Sequence, residues 1–319
     1  MWLSAAERHR FCEAKPPTIP KERKDFETKA MVIKMKIGFA IDMITAAEKR
    51  WGDEKYKKIK NVGYDCVDYA LANTETFVYS LPDGELRAFL AKEKALADEA
   101  GIEIWQVHGP WRWPPQDLTE EQLSERMEKM KKSIYMTHLL GCKYWVVHPI
   151  MPYGIEDIGT GNEQTTWDMN VSFMSELLKT AVEYDVVICF ENMPMRKFSM
   201  ATPEKMLEFT RLMNDEHFKI CLDTGHVSVI KGLSVGDEVR RLGSEIKVFH
   251  IHDNRGSLDE HRFPYFGIID WADFAQSLRD IGFDGVFSLE ATVPGKLPDI
   301  LYEEMCGSLC NIAKSIINL

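Results

Sequence analysis

Eight short apolar runs, each followed by a longer segment of helical period, constrain this chain more than anything else in its sequence. The runs are KIGFA (36–40), CVDYA (66–70), IEIWQV (102–107), YWVVH (144–148), VVICFE (186–191), KICLD (219–223), KVFHIH (247–252) and VFSLE (286–290). Amphipathic segments lie between and after them at 85–100, 119–140, 167–184, 203–213, 235–242, 270–281 and 299–316, and Thr119, Thr202 and Asp270 stand where N-caps belong. The interval around 45–60 has the weakest helical pattern. Apolar strands that alternate with helices are covered on both faces and pair in parallel. Eight such units predict a closed α/β barrel, the (β/α)₈ TIM barrel, as a single domain; an open doubly wound sheet usually has fewer strands and a glycine-rich phosphate turn. No G-x-G-x-x-G or Walker pattern occurs, and Gly-Thr-Gly-Asn-Glu-Gln-Thr at 159–165 reads as the loop after the fourth strand.

Residues 1–33 are rich in charge and proline and carry no clean period, which predicts a weakly ordered N-terminal extension ahead of a barrel at 34–319. The chain is 319 residues long and 45% hydrophobic, ample for one large core. No apolar run approaches the roughly 18 residues of a membrane span, and the start lacks a secretory apolar region. The expectation is a soluble, cytoplasmic protein without a membrane partner. Seven cysteines, an odd number with no Cys-x-x-Cys among the strand-like Cys66, Cys142, Cys189 and Cys221, read as reduced, packed thiols. A formal charge of −11 weighs against nucleic acid as a partner. The sequence is compatible with a homo-oligomer.

In a parallel barrel the C-terminal strand ends and the loops after them build the active site, so polar residues there carry the functional signal. His108 follows the third run, His148 ends the fourth, Glu191 the fifth and Asp223 the sixth, with His226 three residues on. His250 and His252 end the seventh and Glu290 the eighth, while Asp259 and His261 follow in the next loop. A lone strand-end histidine is ordinarily a polar core residue bonded to a carbonyl. Acidic and imidazole residues at six successive strand ends are not explained by packing, because ionised carboxylates beside apolar runs need a cation or donors to compensate their desolvation. A bound metal answers that need. Oxygen and imidazole ligands without thiolate suit Mn²⁺, Zn²⁺, Fe²⁺, Co²⁺ or Mg²⁺, and the number of imidazoles tilts the choice toward Zn²⁺ or Mn²⁺.

FENMP (190–194), CLDTGH (221–226), HIHDN (250–254), the stretch from Asp259 to Trp271 and SLEAT (288–292) resemble the xylose-isomerase-like TIM-barrel superfamily over about 36–316. That group contains sugar isomerases, epimerases and the endonuclease IV type of apurinic endonuclease. In its single-metal epimerases the ion is held by Glu, Asp, His and Glu from strands five to eight, which the resemblance maps onto Glu191, Asp223, His250 and Glu290. The resemblance further implies that Glu191 and Glu290 act as acid and base on a C–H beside a carbonyl, through a cis-enediolate. His226, His252 and Arg255 would then hold hydroxyls of a small-molecule sugar, with Trp111, Trp113, Trp167, Phe263 and Tyr265 stacking or excluding water. The endonuclease IV pattern adds histidines from strands three and four and a D-x-H pair, which here fall on His108, His148, His226, Asp259 and His261 as a second metal cluster. The strand-seven ending departs from that enzyme's H-x-N-D-S form.

The implied activity is metal-dependent isomerisation or epimerisation of a small sugar or sugar derivative. A keto-sugar lyase or dehydratase, including one that cleaves a C-glycoside, would use the same enolate. A metal phosphodiesterase at abasic DNA is the alternative from another class. A barrel that only binds sugar is disfavoured because both glutamates remain.

Overall fold

The structure is a computed structural model that describes residues 35–41 and 47–319; the expected extension at 1–33 lies outside the described residues. Eight strands, β1 (Lys36–Ala40), β2 (Cys66–Ala70), β3 (Glu103–His108), β4 (Tyr144–Val147), β5 (Val187–Glu191), β6 (Phe218–Asp223), β7 (Ile246–His250) and β8 (Val286–Leu289), form one parallel sheet in the order β7-β6-β5-β4-β3-β2-β1-β8. Ladders join every neighbouring pair from β7 round to β8. The cylinder closes between β7 and β8 through Ile251, whose N–H donates to the Ser288 carbonyl at 2.9 Å and whose carbonyl accepts from Glu290 N–H at 3.0 Å. The fold is a (β/α)₈ TIM barrel.

Helices between the strands follow the expected segments within a few residues. Thr119 Oγ1 accepts from Gln122 N–H, Thr202 Oγ1 from Lys205 N–H, and Asp270 Oδ1 from the amides of Ala272 and Asp273, so all three predicted caps are made. The weak first interval is two short helices, Ala47–Trp51 and Lys55–Val62, interrupted where Gly52 takes φ 51°. A further short helix, Thr224–Val229, had no counterpart in the sequence reading; Asp223 starts it by accepting from His226 N–H at 2.6 Å. Among the described residues no helix is long and apolar enough to cross a membrane.

The large core lies between the sheet and its helices, with Phe39, Trp145, Phe190, Phe218 and Phe249 fully buried on the outer strand faces. A smaller cluster, Val146, Val187, Cys189, Cys221 and Val248, packs separately. Successive side chains on a strand alternate between faces, so a residue two positions on shares the same face. Two positions beyond Val146, Cys189, Cys221 and Val248 stand His148, Glu191, Asp223 and His250. The same periodicity thus lays an apolar layer within the barrel and a polar layer above it. Cys66, Cys142, Cys189, Cys221, Cys306 and Cys310 are free and buried, as the sequence predicts.

Candidate metal and active site

The ten predicted Asp, Glu and His residues gather at the C-terminal mouth. Ligand atoms of His108, His148 and Glu191 lie within 4.8 Å of one another, as do those of Asp223, His226 and His252, and those of His252, Asp259 and His261. Glu191 is the hub of the inner group. Its Oε1 is 2.8 Å from His250 Nδ1 and its Oε2 is 3.0 Å from His148 Nε2. His250 Nδ1 also lies 3.5 Å from Glu290 Oε2. Of the four ligands implied by the resemblance, Glu191, His250 and Glu290 therefore meet at one nitrogen. Asp223 turns its Oδ2 toward His252 Nε2 at 3.0 Å, so strand seven offers one histidine to each half of the site. In the outer half, Asp259 Oδ2 is 3.3 Å from His226 Nε2 and 3.1 Å from His261 Nε2.

The histidine rings are oriented from behind. His108, His226 and His261 each set Nδ1 against a backbone carbonyl, of Gly109, Asn192 and Glu290, at 2.8, 2.7 and 2.8 Å. A carbonyl only accepts, so Nδ1 carries a proton and Nε2 is the nitrogen turned toward the carboxylates. Imidazoles that hold metals are anchored in this way. Glu191 Oε2, His148 Nδ1 and His252 Nδ1 are buried without a hydrogen-bond partner. Oε2 thus sits at contact distance from His148 without a satisfied bond, the geometry of two donor atoms that face a common point. Orphaned polar atoms of this kind are costly, and a cation would compensate them. The donor set fits a divalent ion of the Zn²⁺ or Mn²⁺ kind.

Burial and charge divide the titrations. Burial pushes the Glu290 carboxyl up to about 8, against the pull of His250 and His261. Burial also acts on Glu191, but the charges of His250 and His148 outweigh it and hold that carboxyl well below the usual range. In the outer half burial would lower His226 and His261, yet Asp223 and Asp259 push His226 up to about 10, and Asp259 and Glu290 push His261 up to about 10. Burial and the neighbouring His148 lower His108.

The remaining sequence candidates separate. The Trp111 ring meets His148 edge-on at 4.6 Å and so forms part of the wall of the inner group. His252, assigned by the resemblance to substrate hydroxyls, is fully buried among carboxylates, while Arg255 is exposed at the rim. Trp113 is 67% exposed and Tyr265 52%. Trp167 belongs to the helix layer, packed on Phe209 at 5.1 Å, and Phe263 packs on Phe266.

Several residues of the site had no place in the sequence reading. Asn192 brackets β6: its Oδ1 accepts from Asp223 N–H at 2.9 Å and its Nδ2 donates to the Asp223 carbonyl at 3.1 Å. Asp253 is buried and accepts from the amides of Gly267 and Ile268 and from Trp271 Nε1, at 3.1, 3.0 and 3.0 Å. It thereby folds back the loop that carries Asp259 and His261. Gly225 makes room for His252, since a Cβ there would stand 1.9 Å from the ring's Cε1. HIHDN and CLDTGH contained these last two residues; what they do required the fold.

The profile described as "xylose isomerase-like TIM barrel" matches residues 56–308. The chain belongs to that family. It is 30% identical over 202 residues to an uncharacterized protein of Methanocaldococcus jannaschii, covering 61% of this chain and 66% of that one. It is 25% identical over 256 residues to the D-psicose 3-epimerase of Ruminiclostridium cellulolyticum, covering 77% and 81%. Among solved structures, a D-tagatose 3-epimerase-like protein superposes with a TM-score of 0.69 at 24% identity, over 89% of this chain and 98% of the other, a likeness of fold.

Proposed function

We propose that this family member is a metal-dependent isomerase or epimerase of a small sugar or sugar derivative. One observation carries the reading: Glu191 and Glu290, on β5 and at the end of β8, reach the same His250 nitrogen, yet their carboxyls are driven in opposite directions. Two carboxyls of unlike proton affinity at one point are what a proton relay at carbon needs. Glu191, Asp223, His250 and Glu290 would hold the ion, with His252 as a further donor beside Asp223. When bound, the ion supplies electrophilic stabilisation of an oxyanion next to the reacting carbon.

The side chains then divide the work. Glu191, held ionised, accepts the proton of the C–H beside the substrate carbonyl. Glu290 returns a proton to the resulting cis-enediolate. Return to the opposite face gives the epimer, and return to the neighbouring carbon gives the isomer. Trp111 walls the inner group and limits water there. A keto-sugar lyase or dehydratase would begin with the same abstraction. The sugar relatives named above support the reading at the level of reaction type.

The complete outer set, His226, Asp259 and His261 joined to His108 and His148, favours one further reading, a multi-metal phosphodiesterase at abasic DNA. The deciding experiment incubates the Mn²⁺- or Zn²⁺-loaded protein with ketohexoses and keto-glycosides in D₂O, alongside an abasic duplex. Deuterium entering next to a carbonyl, read by NMR, is the expected outcome. Strand incision with no exchange into any sugar would overturn the proposal.

A further inference from the structure

Three of the site histidines lean on backbone carbonyls, but His250 does not. Its Nε2 lies 3.0 Å from Oδ2 of Asp68, a residue of β2 that is 3% exposed and 182 positions away in sequence. The same oxygen accepts from Gln106 Nε2 at 2.9 Å, and Gln106 Nε2 also approaches the Phe249 carbonyl at 3.2 Å. Asp68 Oδ1 is buried without a partner, so the carboxyl makes its compensating bonds through Oδ2 alone. A buried carboxylate is expensive unless it does something specific with its acceptors.

We infer that Asp68 is a positioning residue for the metal centre: its bond across the barrel fixes the proton of His250 on Nε2 and so presents Nδ1 to Glu191 and Glu290. The inference rests on the proposal that the strand ends hold a divalent ion. The polarity is reversed from the other rings, since His108, His226 and His261 are anchored at Nδ1 and offer Nε2. The acceptor differs too. A carboxylate behind an imidazole raises its basicity more than a neutral carbonyl does, and makes it the stronger metal donor. Gln106 completes the device by tying the carboxylate to the backbone of the residue before His250. β2 thereby contributes to a site whose direct donors come from β3 to β8 and the loops that follow them.

Asp68→Asn keeps the shape and removes the charge, and its amide can donate to Nε2 and send the imidazole proton to Nδ1. Zinc affinity, measured by competition with a chromophoric chelator on protein whose fold is checked by circular dichroism, is expected to fall about 10- to 100-fold. Asp68→Glu, which retains a charged acceptor, is expected to bind more tightly than Asp68→Asn. In ¹⁵N-histidine spectra of the zinc-loaded wild type, His250 is expected to carry its proton on Nε2. A folded Asp68→Asn protein with wild-type zinc affinity, or a His250 proton found on Nδ1, would overturn the inference and leave the metal reading standing. Wild-type protein that takes up no divalent ion would overturn both. If Asp68→Asn fails to fold, the spectrum of the wild type decides.

Discussion

His108, His148, Glu191 and His250 end strands or directly follow them, and all but the half-buried His148 are buried, whereas Asp259 and His261 hang from the loop between β7 and helix Trp271–Asp280 with side chains 24% and 21% exposed. The inner residues inherit their positions from the ladders beneath them, and His148, Glu191 and His250 are each placed by a strand that also builds the apolar layer below. The outer pair has no ladder. It is held by Asp253, which gathers the amides of Gly267 and Ile268 and the indole of Trp271. Gly267 sits there because a Cβ would come within 2.1 Å of the Asn254 carbonyl. Donors of the same chemistry are thus rigid in one half and conditional on a loop in the other, and sites on strands hold geometry better than sites on loops.

The contrast can be broken most sharply at Glu290. If the inner group performs the proton transfer, Glu290→Gln lowers kcat by about 10²- to 10⁴-fold with the fold intact, and unchanged turnover refutes the assignment. Chelation tests the two supports next. In a titration with a competing chelator, followed by metal analysis, an ion on His226, Asp259 and His261 is expected to leave at about a tenth or less of the concentration that empties the inner group. Simultaneous loss would show that the halves are one unit. Asp253→Ala is expected to weaken the loop by about 1–3 kcal/mol, seen as faster amide exchange at 256–268 with β5 and β6 unchanged. Equal acceleration in the strands would mean that the loop is part of the barrel's cooperative core.

The smallest effect is electrostatic. In metal-free protein His226 and His261 keep their protons up to about 10, above the usual 6.5. A raised imidazole contributes stability that is fully present below 6.5 and is lost as pH rises toward 10. The thermal midpoint of the apo protein should therefore drift down through that window, and zinc uptake at neutral pH should release protons, as calorimetry in buffers of different ionisation enthalpy would record. Proton-free binding would place the ion elsewhere.

What was legible in the sequence follows the same division. The strand-end donors could be read because period two and the C-terminal rim rule act locally: each sits at or beside the edge of its own apolar run. The caps at Thr119, Thr202 and Asp270 were legible for the same reason. Asp68 was not, since it lies inside CVDYA, below the rim, and its partners come from β3 and β7. Asn192 stood within FENMP, but nothing local says that a side-chain amide will bracket the next strand. The pairing of His252 with Asp223 also escaped, because two histidines two apart on one strand face the same way and only the depth of the barrel tells which carboxylate each will meet. Helix Thr224–Val229 was hidden by CLDTGH, which ends a strand and caps a helix with the same aspartate.

The join between β7 and β8 has a consequence of its own. Elsewhere neighbouring strands are stitched along several residues, but β7 and β8 meet through the two bonds of Ile251, directly between His250 and Glu290. The cylinder is thus thinnest along the line that separates two of its chemically active side chains. A ligand that bridged those two side chains would therefore also hold the two strands together at that seam.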